Sequence, residues 1–315
     1  MRNIQKAALA AILVFAVPAG VVTPALAQDA WMAWSPKPDV LPSYGRNKPI
    51  VRLPAVLARH KDEPRWREQV ILTKRYDAKW IAAAPGDKTP VQYYGDDRVV
   101  WVVWGGQIRF TIQGQKPFVA TKGFLVQVPQ RVRYSLETIG SEPSLRFEVV
   151  HAGIKPSYPA DNGEARPAAA DDSYIKVSTP TQPDKYDAIN RPYVDFFKDV
   201  VAADPTHGPA QSRVVSDEAN LVNIIRGQGV PTPPASNLGH FHLGDEEFWF
   251  ILEGKCDYLI EKVGLFTADA GDVVLTTPGR YHRASWHQGQ MDTRLSFNVS
   301  PLLFHNFGPD AGGKQ

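Results

Sequence analysis

A pattern of short apolar strands occurs twice in this 315-residue chain at one ungapped offset, and that repetition constrains the fold more than any single motif. The first copy runs through Val99–Ile112 and Gly123–Leu136, the second through Glu247–Ile260 and Gly271–His282. Gly106 and Gly254 stand 148 positions apart, as do Gly123 and Gly271, and Arg146 and Arg294. Three landmarks at one spacing mark a duplicated domain. Each copy holds runs such as VVWVVWGGQIRFTI and FWFILEGKCDYLI, rich in Val, Ile, Phe, Trp and Tyr and separated by Gly, Pro, Asn or Asp. Such runs predict an all-β sandwich or barrel. A hydrophobic share of 43% beside 22% charged residues argues against a disordered chain and against a polytopic membrane protein.

The segments outside the copies read differently. Residues 1–27 combine Arg2 and Lys6, an apolar stretch from Ala7 to about Val22, and Ala25-Leu26-Ala27, the order of a secretory signal peptide. An uncleaved membrane anchor is the rival reading, weakened by Pro18 and Gly20 inside the stretch. Cleavage implies a periplasmic or secreted protein with no stable membrane insertion. It also leaves 33 basic against 33 acidic residues, because Arg2 and Lys6 go and no acid does, so no basic field favours nucleic acid. Residues 28–68, with many Pro, are expected to wrap a barrel as an extended arm. Residues 154–210 form a linker, Pro/Ala/Asp-rich at 156–172, in which the spacing of Tyr186, Ile189, Tyr193, Phe196, Phe197 and Val200 predicts a helix over Lys185–Ala202, capped or kinked at Pro192. Cys256 is the only cysteine, which rules out an internal disulfide and a cysteine metal cage.

The sharpest chemical signal is His240-Phe241-His242, then Glu247, with His282 one strand unit later. In a strand, residues two apart share a face with Cα atoms about 6.5–7 Å apart, so two imidazoles there can close on one ion. A bend at Leu243-Gly244-Asp245 would let Glu247 join them. His60, His151, His207, His287 and His305 follow no ligand spacing and read as surface or capping residues, although His287 beside Trp286 could reach a pocket rim.

These residues resemble the two cupin motifs, the first as HFHLGDEEFWFILEG and the second as GDVVLTTPGRYH. The chain departs from the pattern at Pro234, where a Gly is usual, at Pro278, shifted one place, and at Trp286, where an Asn often follows the last ligand. The resemblance implies an all-β bicupin: two cupin (double-stranded β-helix, jelly-roll) barrels in one chain with a few short helices. Barrels at 69–153 and 211–303 would be followed by a tail at 304–315. It also implies one divalent metal ion on His240, His242, Glu247 and His282. Shifting back by 148 puts Gln92, Tyr94, Val99 and Tyr134 at the ligand positions of the first copy. No imidazole remains there, so the first barrel is read as a degenerate structural or dimerisation copy, with homodimerisation the protein partnership in view.

Three neutral His and one carboxylate leave open positions on a six-coordinate divalent ion. Ligand type alone fits Fe, Mn, Ni, Co, Cu or Zn. Strand parity places Trp249 and Ile251 after Glu247, and Arg280 and Trp286 around His282, as a mostly apolar pocket for a small aromatic or planar organic molecule. Arg280 is either a partner for a substrate carboxylate or a solvent-facing turn residue. Glu247, Tyr258 and Tyr281 are the candidate proton-handling residues. The leading expectation is a metal-dependent cupin dioxygenase, an oxidoreductase. The alternatives are a lyase, decarboxylase or isomerase, and a non-catalytic small-molecule-binding bicupin. The two-site decarboxylases keep ligands in both copies, and Gln92 and Val99 count against that subgroup.

Overall fold

The computed structural model describes residues 33–160, 173–180, 186–204, 210–229, 236–299 and 304–308. The signal-peptide reading of residues 1–27 and the departure at Pro234 lie outside them. Residues 33–36, which carry no regular structure, belong to a separate unit; the rest of the description concerns the compact unit Lys37–Gln315. No helix among the described residues is long and apolar enough to cross a membrane.

Each sequence copy builds one two-sheet barrel. In the first, a six-stranded sheet runs Tyr193–Asp195, Phe124–Val128, Val99–Gly105, Ser144–His151, Tyr76–Ala83 and Trp66–Leu72, and a three-stranded sheet runs Phe118–Ala120, Gln107–Ile112 and Tyr134–Ile139. In the second, a six-stranded sheet runs Ile50–Val51, Val273–Thr276, Glu247–Glu253, Met291–Asn298, Leu221–Gln228 and Ala210–Ser216. Its five-stranded companion runs Gly264–Asp269, Lys255–Ile260, His282–Trp286, His240–Phe241 and Asn306–Phe307. All pairings are antiparallel.

The two large sheets face each other, which explains the composition of their central strands. Val100 and Val102 of the first barrel and Phe248, Phe250 and Leu252 of the second lie in one shared core with Trp80 and Phe147. Their alternate neighbours point into the barrels: Val99, Trp101 and Val103 into the first, Trp249 and Ile251 into the second. Both faces of Val99–Gly105 and Glu247–Glu253 are therefore apolar, and the sequence runs without alternation. Gln107–Ile112 and Lys255–Ile260 have one face outward and alternate accordingly.

The duplication extends beyond the barrels. Val51 and Ile50 pair with Val273 and Val274, and Val194 and Tyr193 pair with Leu125 and Val126, which are the matching positions 148 residues earlier. A helix, Leu53–Arg59, follows the first of these short strands, and a π-helical turn, Phe196–Val201, follows the second. Gly271 and Gly123, both at positive φ, lie against Leu53 and Phe197; a Cβ on either would approach those side chains to 2.5 and 2.6 Å. The arm thus serves the second barrel while the linker serves the first, an exchange that ties the halves together. Arg52 seals it with a 2.7 Å ion pair to the buried Asp272, which also accepts from the Leu53 amide.

Three expectations differ from what the structure shows. The predicted helix over Lys185–Ala202 is helical only at Phe196–Val201, because Tyr193–Asp195 is recruited as an edge strand and Asp195 then caps the turn through the Lys198 amide. Residues 304–308 are more than a tail: Asn306–Phe307 joins the sheet beside His240–Phe241. The first barrel's strands begin at Trp66, three residues before the expected boundary.

Candidate metal centre

His240, His242, Glu247 and His282 converge at one end of the second barrel. His240 is the direct cross-strand partner of His282, so two imidazoles meet by register alone. Gly279 donates its amide to the His242 carbonyl at 2.5 Å, joining the turn before His282 to the first two histidines. Glu247 opens the strand Glu247–Glu253 opposite Thr276 after the chain bends at Leu243 and Gly244.

One carboxylate oxygen is the focus of the group. Glu247 Oε2 lies 3.2 Å from His242 Nε2, 3.3 Å from His282 Nε2 and 3.9 Å from His240 Nε2. Donors about 2.0–2.2 Å from a shared ion stand roughly 3.0–3.5 Å apart along the edges of its polyhedron, which matches most of these separations. The other oxygen, Oε1, accepts a 3.0 Å hydrogen bond from Ser296 Oγ, whose oxygen in turn accepts from Asn298 Nδ2 at 2.6 Å. His242 Nδ1 donates to the Phe304 carbonyl at 3.0 Å and His282 Nδ1 to the Arg280 carbonyl at 2.9 Å. A carbonyl only accepts, so both rings carry their proton on Nδ1 and present the Nε2 lone pair inward.

The electrostatics suit a cation. Burial drives His240 down to about 3, against the pull of Glu247, so its ring is neutral over the ordinary pH range. Burial also disfavours charge on Glu247, but its three imidazole neighbours outweigh that and hold the carboxyl well below the usual carboxylate range. His242 would likewise be lowered by burial, but the neighbouring Glu247 carboxylate raises it instead, favouring a cation beside that carboxylate. Both ring nitrogens of His240 and Nε2 of His282 are buried with no hydrogen-bond partner, a costly state that a bound ion relieves. The four side chains therefore fit a divalent metal ion, and they form the metal-binding group found among the described residues.

Around this ring the expected pocket residues separate. Trp249 faces inward, its ring centroid 5.4 Å from that of His282 and 5.2 Å from that of Tyr258. Ile251 packs deeper in the same core. Tyr258 is fully buried with an unpartnered hydroxyl, and burial pushes it well above its ordinary value, so it stays neutral rather than acting as a ready base. Tyr281, one residue from His282, takes the opposite strand face; it packs on Phe241 under Lys37, away from the ring of ligands. Arg280 bonds Thr277 Oγ1 and the carbonyls of Glu261 and Pro42 and stacks on Tyr44, and so anchors the arm. Trp286 lies two positions beyond Ala284, across from Cys256, toward the far end of the barrel, with Arg294 over its ring at 4.5 Å.

One site residue had no signal in the spacing. The ring of His305 stands 4.6 Å from those of both His240 and His242, brought there by the pairing of Asn306–Phe307 with the first ligand strand. A histidine 65 positions from its neighbour, just before a two-residue strand, belongs to no periodic pattern.

The first barrel repeats the pairing with different side chains. Gln92 pairs with Tyr134 as His240 pairs with His282, and Gln92 Nε2 donates to the Tyr134 hydroxyl at 3.0 Å. Trp101, Tyr134 and Phe110 fill the interior.

No family model matches this sequence, and no curated protein is similar to it. Solved structures are. The cupin 2 conserved barrel domain protein from Leptotrichia buccalis superposes with a TM-score of 0.51 at 10% identity, covering 80% of this chain and 96% of that one. The fold is that of a bicupin. Oxalate decarboxylase from Bacillus subtilis is a looser likeness, at TM-scores of 0.49 for one variant (10% identity, 88% of this chain and 80% of that) and 0.47 at pH 4.6 (11%, 76% and 73%). At such identities the likeness concerns the fold; the case for a metal ion rests on this chain's own four side chains.

Proposed function

We propose that this bicupin is an exported, mononuclear metal-dependent dioxygenase acting on a small aromatic or planar organic substrate, with the first barrel a structural copy. The observation that supports it best is a three-histidine, one-carboxylate ring at the end of a barrel whose next inward residue is Trp249. A divalent ion held there supplies a Lewis-acidic centre with coordination positions left for exogenous ligands. Ser296 keeps one Glu247 oxygen turned away, so the carboxylate offers the other to the ion. Trp249, His305 and Phe307 flank the ring.

Elemental analysis of the purified protein, followed by oxygen-consumption screening against phenolic and organic-acid panels, tests the reading. It predicts one transition-metal ion per chain and substrate-dependent O₂ uptake, both lost in Glu247→Gln. Full occupancy by zinc with no O₂ uptake would instead support a lyase, decarboxylase or isomerase working by carbonyl or carboxylate polarisation.

A further inference from the structure

The duplication provides an internal control for the metal barrel's interior. Arg146 and Arg294 occupy the same place, Arg146 opposite Val103 and Arg294 opposite Ile251. Two residues on, the first barrel has Glu148 opposite Trp101, and the second has Ser296 opposite Trp249. Trp101 and Trp249 match in turn, as do Phe110 and Tyr258.

In the first barrel the arginine has an acid two residues on, although its Nε is likewise buried without a hydrogen-bond partner. The charge of buried Glu148 opposes the cost of burying the Arg146 guanidinium, and Glu148 accepts a 2.8 Å bond from Trp101 Nε1. In the metal barrel that acid is gone, and Ser296 in its place serves Glu247. Arg294 Nε and Nη1 are buried without a hydrogen-bond partner. The guanidinium is bounded by the Trp286 face and the Cys256 thiol, neither of which neutralises it. The nearby acids are committed elsewhere: Asp257 to Thr267 and His287, Asp292 to the amides of Lys255 and His287. The second barrel has also gained a hydroxyl, Tyr258 in place of Phe110, fully buried and unpartnered. Relative to its twin, the interior has lost an acceptor and acquired a donor while keeping the cation. Arg294 is half-buried, and two guanidinium nitrogens enclosed without an acceptor favour an anion beside them.

We propose that Arg294 and Tyr258 bind the carboxylate of an organic anion whose other end lies at the metal centre. Residues two apart on a strand are separated by about 6.5–7 Å, so Arg294 stands one such step below Ser296, roughly the length of one aromatic ring plus its substituent. The substrate class is thus a small ring or planar acid carrying its carboxylate opposite its metal-binding group. This deepens the reading given under Proposed function and depends on it for the metal-facing end only.

Calorimetric titration of the full chain, with metal content measured for each variant, tests the assignment using catechol, 3,4-dihydroxybenzoate and inorganic phosphate as probes. For wild type, 3,4-dihydroxybenzoate should bind roughly tenfold tighter than catechol, the scale of a charged hydrogen bond. Arg294→Met should abolish that preference while leaving catechol affinity unchanged, Arg294→Lys should keep part of it, and Tyr258→Phe, which installs the twin's residue, should reduce it several-fold. A preference that survives Arg294→Met in metal-loaded protein overturns the proposal, as does phosphate binding as tightly as the organic acid. If metal-free protein retains Arg294-dependent binding of 3,4-dihydroxybenzoate at full strength, the carboxylate site stands and the metal-facing reading falls. Should Arg294→Met not fold, absence of any carboxylate preference in wild type, or an unchanged preference in Tyr258→Phe and Arg294→Lys together, counts against it.

Discussion

Ser296 is the side chain through which the strand Met291–Asn298 acts on the metal centre. Its hydroxyl holds Glu247 Oε1, and Asn298 holds the hydroxyl. Ser296→Ala should leave the fold intact and weaken metal binding about 10- to 100-fold, the usual cost of losing a group that orients a ligand; competition with a chelator of known affinity measures it. The four ligands were legible in the sequence because strand parity and a cross-strand pair place them without long-range information. Ser296, Arg294 and His305 were not, since each acquires its role from a partner on another strand: Glu247, the twin's Glu148, and the ring of His240. Comparing the two copies position by position would have exposed Arg294, because the missing acid is visible at the same 148-residue offset.

Strands and their connections carry the coupling between barrels. Arg98, at the start of Val99–Gly105, donates to Gln127 Oε1 and pairs at 2.5 Å with Asp217, in the turn between Ala210–Ser216 and Leu221–Gln228. Burial alone would raise Asp217, yet the Arg98 charge and the amides of Ala219 and Asn220 hold it below the usual aspartate value. The unfolded chain therefore takes up a proton near pH 4 before the folded one does, so this ion pair contributes fully above that pH and progressively less as pH falls. Urea midpoints of wild type and Asp217→Asn, compared from pH 7 to pH 3, should differ most at neutral pH and converge in acid; a gap that widens on acidification would contradict the account. The strand exchange of arm and linker was hidden in the sequence for a related reason. Ile50–Val51 and Tyr193–Asp195 are too short to show alternation and gain their structure only by docking on Val273–Thr276 and Phe124–Val128.

At the scale of the molecule, the two barrels share one core centred on Trp80, whose ring lies 5.3 Å from that of Phe147 and 5.6 Å from that of Phe250. Truncating fully buried Phe250 should cost about 3–5 kcal/mol, and with a common core both barrels should lose structure in one denaturation transition. Separate transitions would show that the halves are energetically independent. The first barrel then has a physical role: it covers the apolar outer face of the sheet that carries Glu247, while the matching positions in its own interior are Gln92, Tyr94, Val99 and Tyr134. The most direct test of the whole account is anomalous diffraction from crystals of metal-loaded protein. It should show one peak per chain, enclosed by His240, His242, Glu247 and His282; a peak between Gln92 and Tyr134, or none among the four ligands, would contradict it.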